Sequence, residues 1–132
     1  MAFLGKEYKL ERQENYEAFL KATGVPDAQL AAFLESKPVV KVVKNGDSYT
    51  YTSTSQTGPK EVKFTPGVEF DDLLEGKIPV KTKYTVDGNV ITQLVTTDKG
   101  TATFKREFNG DELVVTLTAT AFDGVAKRFY KA

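Results

Sequence analysis

Apolar and polar positions alternate along most of the chain after residue 38. In the segment 80–86, Lys81 and Lys83 share one face. The opposite face holds Val80, Thr82, Tyr84 and Val86. The spacing recurs in 113–119, whose apolar face holds Leu113, Val115, Leu117 and Ala119. A period of two is typical of β-strands with one buried face, so the pattern predicts a mainly β fold.

Turn-forming residues separate these segments at intervals of roughly ten residues, as in all-β sandwiches and barrels. The predicted turns are Asn45-Gly46, Thr57-Gly58-Pro59, Pro66-Gly67, Glu75-Gly76, Asp87-Gly88, Lys99-Gly100, Asn109-Gly110 and Asp123-Gly124. Consecutive hairpins of this kind predict an antiparallel, up-and-down meander. Closing the meander into a barrel would hide both edge strands.

Residues 15–36 interrupt the β pattern with two short amphipathic helices. Asn15 is a predicted helix N-cap, and Gly24 is placed to end the first helix. Its apolar face would contain Tyr16, Phe19 and Leu20, and that of the second helix Leu30, Phe33 and Leu34. The second helix carries Gln29 and Glu35 but no basic residue, which argues against a DNA-reading helix pair. The pair is predicted to plug one end of the barrel.

Composition excludes several classes of function. The chain has 132 residues, which fits a single domain over 1–132, and 18 basic residues balance 18 acidic ones. A net charge of zero argues against a nucleic-acid partner. The sequence contains no Cys and no His, which excludes Ser–His triads and the common zinc sites, and neither metal nor cofactor is predicted. The N-terminal sequence has no signal peptide pattern, so a cytoplasmic location is predicted.

Arg106 falls on a face that is otherwise apolar. It lies between Phe104 and Phe108 in the alternation of 102–108. The opposite, polar face of that segment contains Thr103, Lys105 and Glu107. An inward guanidinium is costly unless a partner satisfies it, so Arg106 is a candidate functional residue.

Arg128 is predicted to face inward as well. Lys127 and Lys131 mark the solvent face of the last strand, which turns Arg128 inward with Ala126 and Tyr130. Two inward arginines with a phenol nearby would form an anion site in an apolar enclosure. The alternative is that each arginine belongs to an internal ion pair or extends to the rim of the barrel.

An ordered set of short motifs resembles the intracellular fatty-acid-binding protein family from end to end. The motifs are Gly5-Lys6-Glu7-Tyr8-Lys9-Leu10, Asn15-Tyr16-Glu17, Phe19-Leu20, Lys37-Pro38, Lys44-Asn45-Gly46-Asp47, Phe64-x-x-Gly67-Val68-Glu69-Phe70-Asp71, Arg106-Glu107-Phe108 and Arg128-Phe129-Tyr130. The C-terminal segment from Phe122 resembles insect midgut members. The resemblance implies a ten-stranded antiparallel up-and-down β-barrel (a β-clam) capped by a helix-turn-helix lid. It also implies a wet cavity for one or two long-chain fatty acids.

The resemblance further assigns roles to individual residues. It implies that Arg106, Arg128 and Tyr130 hold the carboxylate of the ligand. It places seven residues along the ligand chain: Tyr16, Pro38, Val40, Ser53, Ser55, Val115 and Leu117. It places the portal at Val25, Leu30, Phe33, Thr57 and Gly76. Thr57, Gly76 and Val40 depart from residues common in the family, which affects ligand preference more than ligand class.

Three other functions remain open at this point. A retinoic-acid carrier resembles this fold and also uses an Arg-Arg-Tyr site, whereas neutral retinol would give the arginines no counter-ion. A lipid isomerase would have to use Tyr130, lysines or carboxylates, and no base–nucleophile spacing supports one. Membrane stacking would require a more basic surface. The resemblance permits transient membrane contact through the lid, near Lys21 and Lys37, and the protein is expected to be a monomer.

Overall fold

A computed structural model describes residues 3–24, 27–35, 37–55, 58–74, 78–97 and 100–132. Within these ranges the chain forms ten β-strands and two α-helices. The helices are α1 (Tyr16–Ala22) and α2 (Asp27–Glu35). The strands are β1 (Glu7–Glu14), β2 (Val39–Asn45), β3 (Ser48–Ser55), β4 (Gly58–Phe64), β5 (Glu69–Leu74), β6 (Ile78–Asp87), β7 (Val90–Thr97), β8 (Gly100–Asn109), β9 (Glu112–Ala119) and β10 (Phe122–Lys131).

All ten described strands belong to one antiparallel sheet that curls around an interior. The strand order is β4-β3-β2-β1-β10-β9-β8-β7-β6-β5. Strand β1 joins the two halves, because its first residues pair with β2 and its later residues with β10. The predicted ten-stranded, up-and-down fold with a helix pair is therefore confirmed. The first strand, β1, runs from Glu7 to Glu14.

The prediction that both edge strands are hidden by closure is wrong. In the part of the chain that the structure describes, β4 and β5 end the sheet and no ladder joins them. The connecting turn directs β5 toward β6, since the Gly67 amide donates a hydrogen bond to Tyr84 O at 2.8 Å. Phe64 of β4 stacks on Tyr84 of β6, with ring centroids 4.2 Å apart. Aromatic packing thus spans the sheet where backbone pairing is lacking.

The helices lie where the sequence predicts them. Phe19 of α1 makes edge contacts with Phe104 and Phe122, so α1 packs its apolar face onto β8 and β10. Asn15 occupies the N-cap position but does not cap the helix with its side chain, which instead donates a hydrogen bond to Val125 O at 3.0 Å. Gly24 follows α1 with a φ of 92°, as expected of a helix-terminating glycine. Among the described residues, no helix is long and apolar enough to cross a membrane.

The turn predicted at Asp123-Gly124 is wrong. The last hairpin turns at residues 120–121, and Asp123 and Gly124 lie within β10. Phe122 pairs with Ala119 and Ala126 with Leu117, so β10 carries two extra residues as a bulge. The turn lies three residues earlier than predicted, where Thr120 bonds to Thr101 through both its amide and its hydroxyl.

Candidate anion site inside the barrel

Strand register places the two inward arginines on the same level of the sheet. Arg106 of β8 pairs with Val115 of β9, and Val115 also pairs with Arg128 of β10. Two strand spacings, about 10 Å, therefore separate the backbones of the two arginines. Both side chains point to the concave face, as the alternation predicted.

Arg106 lies deep in the interior. Its exposed fraction is 8%, and its guanidinium carbon lies 4.6 Å from the ring centroid of Tyr51. The rings of Tyr84 and Phe104 are each 6.0 Å from the same carbon. Tyr51 belongs to β3, on the opposite half of the curled sheet, so Arg106 reaches across the interior. Aromatic faces attract a cation but do not neutralise its charge.

The hydrogen bonding of Arg106 is incomplete. Nη2 donates to Oε1 of Gln93 at 2.9 Å, and Gln93 is a neutral amide. Nε and Nη1 are buried and have no hydrogen-bond partner among the described residues. The ion pairs in this part of the chain are Lys6–Asp111, Arg12–Glu14, Lys21–Glu17 and Lys81–Glu69, and none involves Arg106 or Arg128. An internal ion pair therefore does not explain either arginine within the described ranges.

Arg128 is only half-buried and lies under the helix pair. Nε donates to Oε1 of Gln13 at 3.2 Å. The guanidinium carbon lies 4.3 Å from the ring centroid of Tyr16 and 5.6 Å from that of Tyr130. The partners of Arg128 are thus neutral too. This brings Arg128, Tyr130 and Tyr16 together, as the sequence predicted for the first two.

Burial keeps two of the interior phenols protonated. Loss of solvent raises the pKa of Tyr130, and the nearby charge of Arg128 acts in the opposite direction. Burial likewise raises the pKa of Tyr84 to about 12, against the influence of Arg106. A protonated phenol can donate a hydrogen bond to an anion, so Tyr130 is available as a donor.

The structure places most of the other predicted residues on the interior face or in the lid. Tyr16, Leu30, Val40, Val115 and Leu117 are buried members of the apolar core. Pro38 is buried, Ser53 and Ser55 are half-buried, and Phe33 packs against the core. Val25, Thr57 and Gly76 lie outside the described residues. Val40 pairs with Ser53, which puts these two lining positions side by side.

Three site residues were not predicted from the sequence. Three residues contact the arginines from other strands: Gln13 and Tyr51, which are far from them in sequence, and Gln93, which lies on the strand next to that of Arg106. The period-two pattern could have placed Tyr51 and Gln93 on interior faces. Gln13 gave no such signal, because a bulge shifts the register of β1 between Leu10 and Arg12.

Comparison with known proteins identifies the class to which this fold and interior belong. The family model of the lipocalin / cytosolic fatty-acid binding protein family matches residues 4–129. Fatty acid-binding protein 1 of Manduca sexta is 54% identical over 132 residues, covering 100% of both chains. Fatty acid-binding protein 2 of the same species is 52% identical over the same length and coverage.

Solved structures agree with these sequence matches. The fatty-acid-binding protein isolated from Manduca sexta has a TM-score of 0.93 and 53% identity, covering 98% of this chain and 99% of that one. A Schistosoma mansoni fatty acid binding protein in complex with arachidonic acid has a TM-score of 0.90 and 29% identity, with coverage of 98% and 96%. The chain belongs to the lipocalin / cytosolic fatty-acid binding protein family.

Proposed function

We propose that this protein is an intracellular carrier that binds a long-chain fatty acid non-covalently inside the barrel. The observation that carries the proposal is the state of Arg106. It is a buried cation whose side-chain partners are the amide of Gln93 and the side chain of Tyr51, with no carboxylate among them, and its Nε and Nη1 have no hydrogen-bond partner among the described residues. An anionic ligand would satisfy both the charge and the free donors.

The carboxylate of the ligand would lie between Arg106, Arg128 and Tyr130. The two arginines flank Val115 on one level of the sheet, and Tyr130 is two residues from Arg128 on the same face. The acyl chain would extend along the interior positions Tyr16, Pro38, Val40, Ser53, Ser55, Val115 and Leu117. Entry would pass the helix pair at Leu30 and Phe33, with Val25, Thr57 and Gly76 completing the portal.

The similarity to relatives supports this ligand class. The two Manduca sexta relatives named as fatty acid-binding proteins match this chain over its full length. The Schistosoma mansoni structure contains arachidonic acid, a long-chain acid, within the same fold. The common element is an acid head on an apolar chain, and the interior described above offers donors for the first and apolar walls for the second.

The proposed role is binding without chemistry. The sequence contains no His or Cys, and burial raises the pKa of Tyr130 and of Tyr84, which makes both phenols poor bases at neutral pH. We further propose that the protein acts as a cytoplasmic monomer. The lid would make transient contact with membranes through its exposed lysines, Lys21 and Lys37.

Displacement of a fluorescent fatty acid tests the proposal. Oleate should compete with micromolar or tighter affinity, about −8 kcal/mol or stronger, and retinol should compete weakly. If retinoic acid competes more strongly than oleate, the protein is a retinoic-acid carrier rather than a fatty-acid carrier. Effective competition by retinol without competition by oleate would contradict the recognition of an acid head. Native mass spectrometry of gently purified protein would reveal a co-purified ligand directly.

A further inference from the structure

The side chain of Gln13 lies between Arg128 and helix α2. Its Oε1 accepts a hydrogen bond from Arg128 Nε at 3.2 Å. Its Nε2 donates to the carbonyl oxygen of Leu34 at 3.5 Å. Leu34 is in the last turn of α2, where carbonyl groups have no partner within the helix. Gln13 therefore connects an arginine of the barrel interior to the end of a lid helix.

A β-bulge is responsible for this placement. Leu10 pairs with Tyr130, but Arg12 pairs with Phe129 and Gln13 with Arg128, so β1 contains one extra residue. Without that residue, simple alternation from Leu10 would turn Arg12 inward. With it, Arg12 lies outside over the Phe129 ring at 3.8 Å, and Gln13 faces Arg128. Bulges commonly redirect a side chain in this way at functional sites.

The amide of Gln13 satisfies both neighbours. Arg128 requires an acceptor and the Leu34 carbonyl requires a donor, which a glutamine provides at its two ends. A glutamate would pair with Arg128 but would place an oxygen against the carbonyl of Leu34. A leucine would fill similar space and make neither hydrogen bond.

Helix α2 faces the apolar core through Leu30 and Phe33, and its last turn carries the hydrogen bond from Gln13. Helix α1 packs on β8, β9 and β10, whereas the backbone of α2 lies mainly beside α1. A cleft of about 480 Å³ separates the elements, and Gln13, Tyr16 and Leu34 are among its lining residues. Because side chains do not fill this cleft, the hydrogen bond from Gln13 to the carbonyl oxygen of Leu34 is a direct link between β1 and the end of α2.

We propose that Gln13 is a positioning residue that couples anion binding at Arg128 to the docking of α2. The inference rests on the proposed fatty-acid site. A carboxylate at Arg128 fixes the guanidinium, the fixed guanidinium orients the Gln13 amide, and the amide holds the end of α2. Arg128 also stacks on Tyr16, the first residue of α1, so both lid helices contact its immediate surroundings. Thermodynamic coupling is reciprocal, so a docked lid also favours the bound anion.

The test combines hydrogen exchange of residues 27–35 with the rate of fatty-acid dissociation. Both are measured on the parent, Gln13→Leu and Gln13→Glu, with and without oleate. Gln93→Leu is the matched control, because it removes the amide that bonds the other arginine, Arg106, and this amide lies on β7 rather than beside the end of α2. If Gln13→Leu does not fold, Gln13→Met replaces it.

In the parent, oleate should slow amide exchange in α2. In Gln13→Leu that slowing should disappear, and dissociation should become about fivefold faster, the lower end of typical coupling effects. Gln13→Glu should weaken oleate binding, because its carboxylate competes for Arg128. Gln93→Leu should weaken oleate binding while α2 still responds to the ligand.

Two results would overturn the proposal. One is equal ligand-induced protection of α2 in Gln13→Leu and the parent. The other is loss of that protection in Gln93→Leu to the same degree as in Gln13→Leu. Absence of oleate binding to the parent would be a different outcome, since it would contradict the proposed function itself.

Discussion

The two inward arginines share one level of the sheet but have different surroundings. Arg106 is 8% exposed, lies against aromatic rings from opposite sides of the barrel, and leaves two nitrogen atoms without partners in the described structure. Arg128 is half-buried beneath the lid and shares its guanidinium among Gln13, Tyr16 and Tyr130. The buried charge of Arg106 should therefore destabilise the ligand-free protein more than that of Arg128 does. A bound anion should stabilise Arg106 the more of the two. Arg128 contacts Gln13 and Tyr16, so a change at its guanidinium can affect the two helices.

The largest expected effect is that of Arg106→Leu. The free energy of unfolding of the ligand-free protein should rise by about 1–3 kcal/mol, because replacing a buried, incompletely satisfied charge with an apolar side chain is often stabilising. Fatty-acid binding should weaken by about 2–4 kcal/mol, since the carboxylate loses a buried partner. Urea unfolding and ligand titration measure the two quantities. The exposed Arg12 provides the control: Arg12→Leu loses a surface ion pair and a ring contact, so stability should fall by less than about 1 kcal/mol and fatty-acid affinity should be unchanged. A less stable Arg106→Leu protein would mean that Arg106 is structural.

Arg128→Gln should produce a smaller loss. We expect fatty-acid binding to weaken by about 1–2 kcal/mol, because solvent near the lid partly replaces the lost contact. Stability without ligand should change by less than about 1 kcal/mol, as for a half-exposed charge. Calorimetric titration of a fatty acid against Arg128→Gln and Arg106→Gln shows which variant loses more affinity. A larger loss in Arg128→Gln would reverse the assignment of the deep arginine as the dominant partner.

Alkaline pH should destabilise the protein through Tyr84, whose ring lies beside Arg106. Burial raises the pKa of Tyr84 to about 12, whereas an unfolded tyrosine titrates near about 10. The folded state therefore holds the proton more tightly. The contribution of Tyr84 to the free energy of unfolding is therefore fully present below about pH 10 and is lost as the pH rises toward about 12.

By about pH 11, Tyr84 alone should account for a loss of about 1 kcal/mol in the free energy of unfolding. Urea unfolding of the parent and Tyr84→Phe at about pH 9 and about pH 11 measures this difference. The parent should lose more stability than the variant between the two values. Identical losses would show that Tyr84 does not titrate as its burial requires.

Thr82→Val should have the smallest effect and provides a contrast to Arg106. Thr82 is 1% exposed, and its hydroxyl has no hydrogen-bond partner among the described residues. Removing an unsatisfied buried hydroxyl while keeping a similar shape is expected to raise stability by up to about 1 kcal/mol. Fatty-acid affinity should be unchanged. Thermal unfolding and titration check both, and weaker binding would place Thr82 in contact with the ligand.

Much of the fold and part of the site could be predicted from the sequence, because both depend on local alternation. The period-two pattern around Phe104 and Phe108 was enough to turn Arg106 inward, and Lys127 and Lys131 did the same for Arg128. The β-bulges that interrupt this alternation could not be recognised in the sequence. The bulge of β1 that brings Gln13 to Arg128, and the bulge of β10 at Asp123-Gly124, depend on pairing with distant strands.

The partners of the arginines were missed for the same physical reason. Tyr51 meets Arg106 only because the sheet curls until β3 faces β8, and Gln93 meets it from the adjacent strand. The open edge between β4 and β5 was also missed, since the Pro66-Gly67 turn resembles any hairpin connection in the sequence. Its hydrogen bond to Tyr84 is a tertiary contact.

The claim that the positive interior recognises a carboxylate is tested most directly with oleate and its methyl ester. Calorimetric titration of both ligands against the parent and Arg106→Gln compares ligands that differ in charge at one end. Oleate should bind the parent more tightly than the ester, and Arg106→Gln should weaken oleate at least tenfold while leaving the ester within about twofold. Equal binding of acid and ester to the parent, or equal weakening of both by Arg106→Gln, would contradict the claim.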